Sequence, residues 1–301
     1  MACVGHASLD HVFEIDAFPA EPTKTLAHRF SARAGGMSLH ASIACARLGA
    51  RARLLSRVGD DEAATFLRRR LIEEGVQADG MQRVPGATTS LAAVIVDAGG
   101  TRQIFIHRGN ALERAHPLDV RQLEGAELVL ADPRWPEGAA AALRWARDHD
   151  VPALLDADVA PLPVLDRLVP LARWVAFSEA GLAVWARGAT RDGALSRSVA
   201  LGPSLGLVTL GPQGARWAEA GSDAMGDVAA PAVDALDTTG AGDVFHGALD
   251  VGILKGWGFK TCMTFASAVA AMKCRALGGR AGIPTFDEAT AFLKERGFDF
   301  K

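Results

Sequence analysis

The chain has 301 residues and a mass of 31.5 kDa, with 49% hydrophobic and 22% charged residues, which excludes a disordered or collagen-like polymer. A net charge of −3 and a pI near 6.2 leave no basic footprint for nucleic acid. No apolar run approaches the roughly 18–20 residues that cross a bilayer, and the opening MACVGHASLDH carries neither a basic nor an apolar leader, so the expectation is a cytoplasmic protein.

In chain order, short apolar runs at 1–4, 53–55, 127–131, 153–155, 174–177 and 207–210 read as buried strands. Stretches of helical period at 41–48, 63–74, 138–148 and 164–171 lie between most of them, and such alternation argues βαβ units around a mostly parallel sheet. The last third turns helical, at 244–255, 260–275 and 286–295. Two segment pairs depart from the pattern: 11–15 with 25–32, and 91–97 with 103–107 across Ala98-Gly99-Gly100-Thr101, where a glycine pair supplies the positive φ of a tight hairpin. They predict a small antiparallel sheet placed as a lid. With no Pro- or Ser-rich linker and no internal repeat, the expectation is one α/β domain over 1–301, its lid drawn from about 11–34 and 89–110.

Cys3, Cys45, Cys262 and Cys274 show no Cys-x-x-Cys spacing, so free buried thiols are expected rather than a zinc or dithiol site. The absence of Tyr beside 32 Gly raises the question of where the backbone needs glycine.

The most informative stretch is Asp237-Thr238-Thr239-Gly240-Ala241-Gly242-Asp243, which runs into the apolar-periodic Val244, Phe245, Ala248 and Leu249. Two glycines let the turn expose its N–H groups at a helix N-terminus, an anion site. Asp243 reads either as a helix cap or as a base that relieves an attacking hydroxyl of its proton.

This heptad closely resembles the second signature of the ribokinase-like (PfkB) sugar kinases. Gly35-Gly36 before helix 41–48, Arg57-Val58-Gly59-Asp60-Asp61, and Val208-Thr209-Leu210-Gly211-Pro212-Gln213-Gly214 follow the same family in order, from about residue 3 to 285. The resemblance implies a ribokinase-like three-layer α/β/α sandwich with a small antiparallel β lid, and an ATP- and Mg²⁺-dependent carbohydrate kinase. It implies Asp243 as general base and the N–H groups of Gly240, Ala241 and Gly242 as the anion hole. The nucleotide falls to Thr209, Gly211, Gly214, Thr239, Cys274 and Gly279. Asp237 and Thr239, with carbonyls near 274–282, match the place of a monovalent cation such as K⁺, a simple capping role being the alternative.

Two departures follow from the same resemblance. Where many relatives carry Asn-x-x-Glu this chain has Ser178-Glu179-Ala180-Gly181, which leaves Glu179 to serve Mg²⁺ through water or to be an ordinary exposed glutamate. Met37 and His40 stand where relatives place sugar-binding Asn, so the sugar is expected to differ from plain ribose or fructose. Asp10, near the end of the first strand, matches the family's sugar-binding aspartate, with Gly35 and Gly36 beside the sugar. The runs around Asp132-Pro133-Arg134-Trp135, Asp156-Ala157-Asp158, His246 and Lys273-Cys274 are similar to the 6-deoxy-6-sulfofructose kinase and ketohexokinase-like branch. That similarity implies Lys24 and Arg134, with His107 or Arg108 from the lid, as donors to a terminal anion.

The alternatives are another kinase of this family (for fructose, ribose, a sugar acid or a nucleoside) and a non-catalytic sugar or nucleotide sensor. A Rossmann dehydrogenase is disfavoured, because no Gly-x-Gly-x-x-Gly follows the first strand. The bare face of the lid predicts a homodimer.

Overall fold

The structure, a computed structural model, describes residues 1–278 and 280–300. Strand β1 (Ala2–Gly5) leads through β2 (Ser8–Glu14) and β3 (Arg29–Gly35) into helix α1 (Met37–Arg47). Next come β4 (Arg53–Gly59), α2 (Glu62–Glu73), β5 (Met81–Val84), β6 (Ser90–Val96) and β7 (Arg102–His107). The chain then alternates β8 (Val129–Ala131), α3 (Pro136–Asp148), β9 (Ala153–Ala157), α4 (Leu162–Leu168), β10 (Trp174–Ser178) and α5 (Glu179–Ala186). After α6 (Arg191–Ala200) and β11 (Leu205–Thr209) it adds β12 (Ala215–Glu219) and β13 (Met225–Val228). Helices α7 (Ala241–Leu254), α8 (Phe259–Cys274) and α9 (Phe286–Lys294) close the chain.

Nine of these strands form one sheet in the order β13-β12-β11-β10-β9-β8-β1-β4-β5. It is parallel except where β12 and β13 add antiparallel strands at one edge. Alternate strand residues go to opposite faces, and the core divides accordingly. Cys3, Leu54, Leu130 and Leu154 pack under α1, α2, α7, α8 and α9, whereas Val4, Leu55, Val129 and Leu155 pack under α3 to α6. The result is the expected three-layer sandwich. None of the described helices is long and apolar enough to cross a membrane. All four cysteines are free and buried, as expected.

β3, β2, β6 and β7 form the separate lid sheet. Its outer pairs are antiparallel, as the sequence predicts, and β2 runs parallel to β6 along the seam. The seam is parallel because the chain leaves the lid after β3, builds α1 to β5, and returns, a connection long enough for parallel pairing. Gly100, at φ +80°, makes the hairpin turn. Residues 25–28 lie outside the strand expected there, which starts at Arg29.

The order of the large sheet reverses at β1, which has β4 on one side and β8 on the other. Crevices at such a reversal, beyond the carboxyl ends of the strands, are where open α/β sheets bind ligands.

Candidate active site

The turn before α7 is built as its glycines require. Gly240 is the N-cap residue of the helix, at φ +71°, a conformation that side chains other than glycine's rarely adopt. A Cβ there would also stand 2.9 Å from Nδ1 of His40. Asp243 therefore sits in the first helical turn and caps nothing. Its Oδ2 instead accepts from Nδ1 of His40, at 3.1 Å, across 203 residues of sequence. His40 is buried in α1, so it is the partner of Asp243 rather than an isolated core residue. Of the three N–H groups expected to form the anion hole, that of Ala241 donates to the Thr238 carbonyl at 3.2 Å.

Asp10 lies at the base of the lid, on β2. Ser8 Oγ donates to its Oδ1 at 2.9 Å, and burial pushes its carboxyl above the ordinary value, against the charge of His40. Gly35, paired opposite Ser8, keeps room for this group: a Cβ there would lie 2.1 Å from the Asp10 carboxylate. Asp10 and His40 border a cavity of about 450 Å³ under the inner face of the lid, together with Asp237 and Thr239.

On the other side of the turn, a cavity of about 400 Å³ is lined by Thr209, Gly211, Gly214, Ala241, Gly242 and Cys274, with small apolar walls at Pro212, Ala230, Ala270 and Ala271. Every residue expected to hold the nucleotide lines it except Thr239, which faces the lid cavity, and Gly279, which lies outside the described residues.

A third cavity, of about 210 Å³, opens at the reversal of strand order. It is lined by His6 after β1, Arg57 on β4, Arg108 after β7 and Arg134 after β8, with Glu113 the one acid among the described lining residues. Arg134 donates to Asp158 at 3.0 Å and to the Val159 carbonyl at 2.6 Å. Arg108 makes no ion pair among the described residues; burial and then the charge of Arg134 lower its pKa, yet a guanidinium stays protonated at any physiological pH. Burial lowers the pKa of His6 against the pull of Asp132, and the charges of Arg134, Arg108 and Asp243 all reach it. The carbonyl of His6, which lines this cavity, accepts from Leu39 N at 3.3 Å, one residue from the His40 that pairs with Asp243. Asp132 fixes this corner: it accepts from His6 N at 2.7 Å, Ser38 N at 3.1 Å, Ser38 Oγ at 2.5 Å and Arg134 N at 2.9 Å.

Several expected roles are not supported by the geometry. Lys24 is exposed on the loop between β2 and β3 and His107 is exposed at the end of β7; neither lines the cationic cavity. Glu179 points outward from the start of α5 and pairs with Arg191 at 2.7 Å. Ser178, where relatives carry Asn, caps α5 through Gly181 N and donates to Asp158 at 2.7 Å. Asp237 and Thr239 do not form an open cation site, because Arg102 of the lid donates to both. Burial would raise the Asp237 carboxyl, but hydrogen bonds from Thr239 and Gly278 and the charge of Lys273 hold it below the ordinary value.

Sequence reasoning gave no role to His6 or Arg102 and took Arg57 only as part of a family motif. It also passed over the meaning of Asp156 and His246, which sit fully buried with Oδ2 and Nδ1 2.9 Å apart beneath the turn.

A glycine turn at a helix N-terminus, a carboxylate at its mouth, a cavity on each side and a lid define a phosphotransferase that acts on a small polar acceptor. The chain belongs to the PfkB family of carbohydrate kinases, whose pattern matches residues 1–286. It is 28% identical to the ribokinase of Bacillus subtilis, over 96% of this chain and 98% of that one. It superposes with a TM-score of 0.93 on a crystal structure from Agrobacterium tumefaciens assigned as a ribokinase, at 34% identity over 99% and 98% of the two chains. An Arabidopsis thaliana ribokinase complexed with ribose and ATP shares the fold, with a TM-score of 0.86 over 97% and 98% of the chains at 24% identity. The protein is therefore an ATP-dependent carbohydrate kinase.

Proposed function

We propose that the acceptor is a furanose ketose with an anionic terminal group, such as 6-deoxy-6-sulfofructose. The observation that carries this reading is the set of three arginines around one small cavity at the reversal of strand order. Arg108 is exposed and makes no ion pair among the described residues, so its guanidinium fork is available to a sulfonate, carboxylate or phosphate, an acceptor that a neutral sugar does not offer. A nucleoside acceptor would need an apolar, base-sized wall instead.

In this reading Asp10 accepts hydroxyl hydrogen bonds of the sugar, Asp243 takes the proton of the attacking hydroxyl, and the glycine turn faces the charge that develops on the phosphoryl group. His40 holds one oxygen of Asp243, which leaves the other for the hydroxyl. ATP would occupy the cavity lined by Gly211, Gly214 and Cys274. Among the described residues no three His, Cys, Asp or Glu cluster to hold a metal, and Glu179 is already paired. Mg²⁺ fits here only as an ion that rides on the nucleotide phosphates and keeps most of its waters, where it would neutralise their charge.

The test is kcat/KM for ribose, fructose, sulfonated and carboxylated sugars in the wild type and Arg108→Met. Loss of one charge-assisted hydrogen bond is worth about 1.5–3 kcal/mol, or roughly 10–100-fold. We expect the anionic sugar to lead and to fall by that factor in the variant, with neutral sugars unchanged. Equal use of fructose or ribose, insensitive to Arg108, would remove this substrate assignment.

We also propose a homodimer through the lid. Its outer face carries Phe13, Phe30 and Ile95 in register, with Phe105 of β7 on the same face in the next cross-strand row, and Phe30 and Phe105 are more than half exposed. Such a patch on a monomer is a liability that pairing with a second copy buries. Light scattering at micromolar concentration should give twice the chain mass, and Phe105→Glu should give one; a monomeric wild type would refute the dimer.

A further inference from the structure

We infer that this kinase carries its own fixed cations at Asp237, in Lys273 and Arg102, and works without an exchangeable monovalent cation. The Asp237 oxygens and the Cys274 carbonyl that a K⁺ ion would draw on are already held by N–H donors. Oδ1 of Asp237 accepts from Thr239 N at 2.8 Å and from Arg102 Nη1 at 3.1 Å; Oδ2 accepts from Gly278 N at 2.8 Å. The main-chain carbonyl of Asp237 accepts from Nζ of Lys273 at 2.8 Å, and Lys273 is fully buried. Arg102 also donates to Thr238 Oγ1 at 2.8 Å and to Thr239 Oγ1. The Cys274 carbonyl accepts from Leu236 N at 2.8 Å and Asp237 N at 3.1 Å.

Two positive side chains therefore meet at Asp237, Arg102 on its carboxylate and Lys273 on its main-chain carbonyl. A metal ion would add a third positive charge and would have to displace donors that leave no other acceptor for Lys273, whose burial makes an unpaired ammonium costly. The two side chains arrive from opposite directions, Lys273 near the end of α8 and Arg102 from lid strand β7. Between them they fix residues 237–239, and with those the start of the turn that ends at Asp243. Arg102 and Lys273 are positioning residues, and because Arg102 rides on the lid, the turn is clamped when the lid is down.

The inference rests on reading the 237–243 turn as the phosphoryl-transfer turn, so two of its measurements need no turnover. The wild type is compared in choline and K⁺ buffers of equal ionic strength. We expect kcat/KM within about twofold and an unchanged Tm, since a ligand that does not bind cannot shift either. Crystals grown with Rb⁺ should show no anomalous peak at Asp237. In Lys273→Met and Arg102→Gln, which remove one fixed charge each, activity should fall and be restored about tenfold by K⁺, as expected if the ion replaces the missing charge. Activation of the wild type more than about tenfold by K⁺, Rb⁺ bound at Asp237, or variants that lose activity without rescue would each overturn the inference. Should Lys273→Met fail to fold, Arg102→Gln and the Rb⁺ diffraction decide. Failure of the substrate assignment would leave the Tm and Rb⁺ results standing.

Discussion

Asp243→Asn should lower kcat by about 10²–10⁴-fold while nucleotide affinity stays near that of the wild type. The amide keeps the shape of the carboxylate and its place in the first turn of α7, so the nucleotide cavity on the far side of the turn is undisturbed. It removes two things at once. It cannot take a proton from a hydroxyl, and it no longer offers His40 Nδ1 a charged acceptor. His40→Ala should therefore cost less than Asp243→Asn, because it loosens the base without removing it. Nucleotide titration alongside steady-state kinetics separates the effects, and full turnover in Asp243→Asn would dismiss the assignment of Asp243 as base.

The second large effect is on stability. Asp156 and His246 form a buried pair beneath this turn. Burial raises the Asp156 carboxyl to about 6, against the charge of His246, and the pull of Asp156 raises His246 above 6.5 in spite of burial. The folded state therefore binds protons more tightly than the unfolded chain at both groups. The contribution of the pair is fully present below pH 3.8, declines as pH rises toward 6, and declines again as pH rises through the folded pKa of His246. Asp156→Asn reverses the dependence, because a buried imidazole without its carboxylate is held below 6.5 and must lose its proton to fold. The variant should be less stable at low pH, and the deficit should shrink as pH rises from 5.5 to 8. Urea unfolding of both proteins across that range measures it. A deficit that stays constant or grows with pH would mean that the pair is not charged in the folded protein.

The alternation of strands and helices was legible because each element of the parallel sheet is a local apolar pattern. So was the turn, since all seven of its residues are consecutive. β5 and β13 escaped because short edge strands, partly exposed, carry no continuous apolar run, and β12, just inside the edge, interrupts its apolar residues with Arg216. The partners of the turn escaped for a different reason. His40 meets Asp243 across 203 residues and Arg102 meets Asp237 across 135, contacts that only the packing of α1 and the folding down of the lid create. The arginine cavity was half legible: Arg134 and Arg108 follow strand ends, but Arg57 reaches it from within β4, where the sequence offered only a family motif. Glu179 shows the converse failure, an acid in the right stretch of chain that the start of α5 turns outward to Arg191.

The most direct test of the account is the fate of the γ-phosphoryl group when the wild type is mixed with ATP and a panel of neutral and anionic ketoses and followed by ³¹P NMR. The account predicts a new phosphate monoester that forms in step with ADP, fastest with an anionic sugar and lost in Asp243→Asn. ATP left intact across the panel, or ADP released with inorganic phosphate and no sugar ester, would contradict it.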